Sequence, residues 1–138
     1  LIPFENLAAA VRLRGMASDT TGAGSRDHLF LLSPLFPDAK LGPGLYHCPE
    51  CAQVEGLLSF FPFLRSRLEV SYVDFPRPRA AVVPLVGPEN QGCPVLVLGA
   101  GSVAPAGAKV GPAGRAFVSG AAAISTYLAA AHGISQPH

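Results

Sequence analysis

Cys48 and Cys51, in the string Cys48-Pro49-Glu50-Cys51, are the residues of this 138-residue chain whose types and spacing best suit them to chemistry. A C-x-x-C pair can cycle between dithiol and disulfide, or it can supply half of a tetrahedral metal site. The choice depends on the element that carries the pair. Pro49 at a first helical position, followed by Val54, Leu57, Leu58 and Phe61 at i, i+3, i+4 and i+7, predicts a helix starting there and ended by Pro62. Residues i and i+3 share a helix face with side chains about 5–6 Å apart, a separation a disulfide can close. Cys48 then stands at the cap, where unpaired N–H groups and the positive end of the helix dipole favour a thiolate, so it is expected to be the nucleophile. Cys51, one turn further in, is more shielded and is placed to attack a mixed disulfide on Cys48 and release the product. His47 adds positive charge beside the thiolate and Glu50 opposes it; spacing alone does not rank the two.

Cys93 is the third cysteine and directly precedes Pro94. An odd count, with no recognisable secretory start, argues against a disulfide-stapled scaffold and for reactive thiols in a reducing compartment, the cytoplasm. A metal alternative remains open: Cys48, Cys51 and Cys93, with His47, are ligand types that zinc or an iron–sulfur cluster takes. It lacks a second C-x-x-C, so dithiol chemistry is the first expectation and no metal is assigned. Glu55 and Asp74 are separately placed and give no carboxylate pair for hydrolysis. Gly99, Gly101, Gly107, Gly111 and Gly114 read as loop glycines, without the spacing or Lys of a phosphate loop.

The elements that must hold these residues follow in order. His28–Leu32 is a short apolar run suited to a strand buried on both faces. Residues 33–47 hold three Pro and two Gly and read as a loop. After the C-x-x-C helix, Leu68, Val70 and Tyr72 alternate with polar residues as a second strand ending near Asp74. Pro78 can start a second helix over Arg79–Val86, shortened or kinked by Pro84. Residues 94–98 and 115–118 read as two further strands joined by a Gly/Pro/Ala-rich loop, and a last helix spans Ala121–His132 with Gly133 as its cap. Phe60, Phe61, Phe63, Tyr72 and Tyr127 are assigned to the core, Arg77 and Arg79 to solvent, and His28, His132 and His138 have no nameable partner.

Composition narrows the function classes. Apolar residues make up 49% and charged ones 14%, enough for one folded domain. A net charge of +1, with no basic window, makes nucleic acid a poor partner. The uncharged stretch from Asn90 to Ala108 is broken by Pro and Gly, and that from Ala116 to Ala131 is shorter than the roughly 20 residues of a membrane span, so no membrane helix is expected. Eight Arg among ten basic residues, beside abundant Gly and Pro, suggest a GC-rich, bacterial source. Residues 1–27 are expected to be a partly disordered extension, with Met16 as a natural start, and residues 28–138 to be the domain.

The order of these motifs resembles the thioredoxin-like fold in its glutaredoxin-sized form, βαβαββα with a four-stranded mixed sheet flanked by helices. The resemblance implies that Pro94 is cis and faces the dithiol, and that Cys93 offers its backbone to an extended substrate. It further implies contact of the substrate with His47, Pro49, Glu50 and Gly120. The string Tyr46-His47-Cys48-Pro49-Glu50-Cys51, with Glu55-Gly56, residues 73–82 and Gly87-Pro88-Glu89-Asn90-Gln91, is similar to a family of small bacterial thioredoxin-like proteins of unknown function. That similarity covers about residues 28–137. The final Ala123-Ile124 and Tyr127-Leu128 are similar to the end of the amino-terminal domain of glutathione S-transferases. Gly120 and Ala121 stand where that family has its glutathione-binding side chains, so only backbone N–H groups near Gly120 are left to hold a carboxylate. The reading is therefore a thiol–disulfide oxidoreductase, with Cys48 attacking, Cys51 resolving and Pro94 shaping the cleft. Its partners are a thiol or disulfide substrate, with glutathione as co-substrate or a protein in that role. The alternative is a non-enzymatic binding module or homodimer on the same scaffold.

Overall fold

The computed structural model describes residues 26–138; the expectations for the extension up to residue 25, Met16 included, lie outside the described residues. In chain order the elements are β1 (His28–Leu32), β2 (Phe36–Asp38), β3 (Gly42–Tyr46), α1 (Pro49–Phe60), α2 (Leu64–Arg67), β4 (Glu69–Val73), α3 (Val83–Val86), a 3-10 turn (Pro88–Asn90), β5 (Val95–Val97), β6 (Lys109–Val110), β7 (Ala116–Ser119) and α4 (Ala121–His132). The main sheet runs β4-β1-β5-β7-β6. β1 pairs in parallel with β4 and antiparallel with β5, and β7 pairs antiparallel with β5 and β6. This mixed α/β arrangement is compatible with a thioredoxin-like fold.

β1 lies inside the sheet with both edges paired, and its unbroken run Leu29–Leu32 is buried because both faces are covered. The period-two alternation of strands divides its side chains between two layers. Leu29 and Leu31, with Leu96 and Val118, pack against Val54 and Leu58 of α1 and Ile124 and Leu128 of α4. Phe30, with Val95, Val97 and Phe117, packs on the other face against Val82 and Val86. The first turn of α1 lies at the C-terminal end of β1, where the Leu32 N–H bonds Cys51 Sγ.

Two departures from the sequence expectations have physical causes. The main sheet has five strands rather than four, because Lys109–Val110 within the expected 99–114 loop pairs with β7. Gly111 belongs to that departure: a Cβ there would stand 1.8 Å from the Leu85 carbonyl oxygen, so its small size lets two backbones meet. Residues 33–47 are not all loop, since β2 and β3 form a hairpin in which Phe36 faces Tyr46. Gly42 and Gly44, at φ of 104° and 114°, make the conformations that hide this hairpin from a periodicity reading. The helix expected over Arg79–Val86, short or kinked on account of Pro84, forms as a single turn at Val83–Val86 with Pro84 at its start.

Asp27, assigned from sequence to the extension, is part of the fold and is 4% exposed. Its carboxylate accepts the Gly99 N–H at 2.8 Å, the Tyr127 hydroxyl at 2.6 Å, His132 Nε2 at 3.3 Å and the Ser102 hydroxyl. One side chain thus ties the start of β1 to the turn after β5 and to the last turns of α4. Burial pushes its pKa up, but these donors together hold it below the ordinary 3.8. Next to it, His28 is stacked on Phe30 and bonded to Ser71 Oγ at 2.7 Å. Burial, aided by Arg115 and opposed by Glu69, lowers its pKa from 6.5.

A pH dependence of stability follows. Both groups have folded pKa values below their unfolded ones, so each contributes stability that is present above the unfolded value and is lost as pH falls through the folded value. Thermal midpoints measured from pH 8 to 3 are expected to be level above about pH 6.5 and to fall in two stages, His28 first and Asp27 below about pH 4. A midpoint that rises on acidification would contradict this.

Candidate active site

Cys48 is the N-cap of α1, in extended conformation, and its Sγ accepts the N–H of Cys51 at 3.2 Å. Pro49 fills the first helical position, where no N–H is needed, and its own ring is exposed. The Cys48 carbonyl accepts the Ala52 N–H, so the sulfur and the carbonyl of one residue close both sides of the first turn. Cys48 is half-buried, whereas Cys51 is 4% exposed and its Sγ accepts the Leu32 N–H at 3.4 Å. Burial, reinforced by Cys48 and Cys93, pushes the Cys51 thiol up to about 12. None of the three cysteines is in a disulfide.

Cys93 faces this pair through its backbone: Cys48 Sγ donates to the Cys93 carbonyl at 3.7 Å. The Cys93–Pro94 peptide is cis, as is Arg77–Pro78. The Cys93 thiol is pushed up by burial, against the nearby charges of Arg79 and Arg77. Arg79 corrects an expectation, because it is 6% exposed rather than solvated. Its guanidinium donates to the Phe75 carbonyl at 3.1 and 2.7 Å and to the Gln91 carbonyl at 2.6 Å, and its backbone N–H donates to Gln91 Oε1 at 2.7 Å. Arg79 thereby braces the segment that delivers Cys93 and Pro94 to the dithiol.

Glu50, left unranked against His47 by the sequence, is turned away to another task. Its Oε1 accepts the Ala121 N–H at 3.1 Å and so serves the start of α4, whose own cap Gly120 has no side chain. The Gly120 N–H donates to the Pro94 carbonyl at 3.0 Å. Two N–H groups expected to be open to a ligand's carboxylate are thus occupied from within the chain. His47 is exposed beside Cys48.

A cavity of about 570 Å³ opens beside the sulfurs, with Leu31, Leu32, Pro34 and Ala52 as its apolar walls and Ser33, His47, Glu55 and Tyr72 as its polar ones. Tyr72, Phe60 and Phe63 correct the core assignment, being 47%, 80% and 43% exposed. Tyr72 donates to Glu55 Oε2 at 2.7 Å, and Arg65 pairs with Glu55 Oε1 and donates to the Tyr72 oxygen. Asp27, Arg79 and this Glu55–Tyr72–Arg65 trio were missed by sequence reasoning, since none lies in a spaced motif.

Among the described residues no group of three or more His, Cys, Asp or Glu is arranged to hold a metal ion. Cys51 turns its sulfur inward to the Leu32 amide, and Cys93 meets Cys48 through its carbonyl rather than its thiol. Also among the described residues, no helix is long and apolar enough to cross a membrane.

Comparison with known families places a match to "Protein of unknown function (DUF3088)" over residues 26–136. The chain belongs to this family. The DUF3088 match begins at Arg26, so it includes the buried Asp27 and both cysteine segments. No curated protein and no solved structure matches the chain.

The burial contrast between the two thiols gives a direct prediction for this family member. With the chain reduced at pH 7, iodoacetamide is expected to modify Cys48 at least about 100-fold faster than Cys51, because only an accessible thiolate attacks. Peptide mass mapping over time reads the ratio, and equal rates would contradict the arrangement.

Proposed function

We propose that the chain is a thiol–disulfide oxidoreductase of glutaredoxin or thioredoxin type, working in a reducing compartment such as the cytoplasm. The observation that carries this reading is the Cys48 sulfur, which accepts the Cys51 amide at the tip of a 12-residue helix while bordering an open cavity. That N–H fixes the Cys48 sulfur at the helix tip, and in its thiolate form this sulfur is the nucleophile. It attacks one sulfur of a substrate disulfide, forming a Cys48 mixed disulfide and expelling the first thiol. Cys51 then attacks Cys48, passing its proton to the departing second sulfur, and the chain is left with a Cys48–Cys51 disulfide. Glutathione or a protein dithiol returns two electrons and two protons. In this reading Pro94 and the Cys93 carbonyl form the wall across which the substrate sulfur approaches.

The test is catalysis of disulfide reduction in a glutathione-coupled assay. Turnover dependent on the chain supports the reading, and its absence with both thiols reduced, when neither glutathione nor a protein dithiol as electron donor gives any, contradicts it. Replacing Cys51 with Ser is expected to stop turnover after the first step and to trap a mixed disulfide on Cys48, visible as an adduct in the intact mass. No adduct from C51S would remove Cys51 as the resolving thiol.

A second reading has its own observation. Leu35, Leu41 and Leu45 of the β2–β3 region are 73%, 66% and 65% exposed, which suits a binding or self-association module in which the dithiol is structural. A stable dimer by sedimentation together with an inert dithiol would favour it.

A further inference from the structure

We propose that the disulfide acted on at this site is an uncharged aliphatic one, bound in the cavity beside Cys48; this rests on the oxidoreductase reading and names its substrate class. The cavity, about 570 Å³, is of the size that holds small molecules. Leu31, Leu32, Pro34 and Ala52 line it together with Cys48 and Cys51. A disulfide whose hydrocarbon part lies along those walls brings its sulfurs to Cys48.

The polar groups argue against a charged substrate. Glu55 is the one carboxylate on the wall, and Arg65 and Tyr72 already hold both of its oxygens. A carboxylate on the ligand would lose water against aliphatic walls that include no Lys or Arg to pair with it, which is costly. The receptor that a peptide carboxylate would use at the start of α4 is taken, with Ala121 N–H bonded to Glu50 and Gly120 N–H to the Pro94 carbonyl. His47 and Ser33 are left at the rim, where His47 is exposed and Ser33 half-buried, and these suit a neutral amide or hydroxyl end.

The reaction balances on the dithiol. The Cys48 thiolate opens the substrate S–S bond and forms a mixed disulfide. Cys51 displaces the second sulfur, and the substrate leaves as two thiols while the chain gains one disulfide.

The test uses the full chain, reduced and freed of reductant, and follows its oxidation by lipoamide, an uncharged aliphatic disulfide, and by glutathione disulfide, which is anionic. Each rate is divided by the rate of the same disulfide with dithiothreitol, which removes differences in intrinsic reactivity. Lipoamide is expected to lead by at least about 10-fold, the discrimination an apolar pocket can supply. Octanamide, with a similar acyl chain and no sulfur, is expected to slow the lipoamide reaction competitively. Ala52→Phe, on an exposed helix position where a larger side chain meets no core, is expected to bring the ratio close to one. Equal normalised rates, a lead for glutathione disulfide, or no effect of octanamide would overturn the substrate class and leave the oxidoreductase reading standing. Oxidation by neither disulfide would overturn both.

Discussion

Cys48→Ser is expected to lose disulfide reduction by at least about 1000-fold while unfolding at nearly the same temperature as the parent chain. The two halves of this result have different causes. Ser is among the best N-cap residues, and its hydroxyl can accept the Cys51 N–H in place of the sulfur, so α1 keeps its first turn. Chemistry has no such substitute, since a hydroxyl stays protonated near neutral pH and forms no bond of disulfide strength with a substrate sulfur. The glutathione-coupled rate and a thermal melt, measured on one preparation, separate the effects. Retention of more than about one hundredth of the activity would show that another group attacks.

Asp27→Ala is expected to carry the largest stability loss of any single change among the described polar residues, about 3 kcal/mol or more. The substitution removes one carboxylate and orphans the Gly99 N–H and the hydroxyl of the buried Tyr127, besides releasing Ser102 and His132. For a domain of this size that loss lowers the midpoint by more than about 10 °C. Asp27→Asn retains an acceptor oxygen in the same place and is expected to lose less. Asp27 lies at the opposite end of β1 from Leu32, whose amide bonds Cys51, so Cys48 alkylation in the folded D27A chain is expected to keep its rate. Denaturant unfolding reads the first effect and mass mapping the second. A loss below about 1 kcal/mol would contradict the role assigned to this carboxylate.

Much of the framework is legible where local punctuation and periodicity coincide. Pro49 and Pro62 bracket α1, and Gly133, left-handed at φ 75°, ends α4 where the Ile124, Tyr127 and Leu128 spacing stops. The unbroken apolar run of β1 reads as a doubly covered strand for the same local reason. β6 and the β2–β3 hairpin are illegible because strands of 2, 3 and 5 residues set among Gly and Pro carry no usable period. Buried polar residues fail for another cause: Asp27 meets Tyr127 across 100 positions, and Arg79 meets carbonyls that no side-chain pattern announces. Within the candidate site, Cys48, Cys51 and Pro94 stand in motifs that a sequence reading can single out. The cavity beside them was not, because β1, residues 33–34, α1 and the Tyr72 edge each supply only part of its wall. Glu50 shows the same limit, since its partner Ala121 is 71 positions away.

The central claim is that Cys48 and Cys51 form one reversible two-electron couple. Equilibrating the full chain across a graded series of dithiothreitol redox buffers, quenching with an alkylating agent and mapping the cysteines by mass tests it most directly. The account predicts a single transition in which Cys48 and Cys51 lose alkylation together, as one linked peptide pair, and regain it on reduction, with Cys93 unchanged. Alkylation of both at every potential, or a bond that joins Cys93 instead, would contradict it.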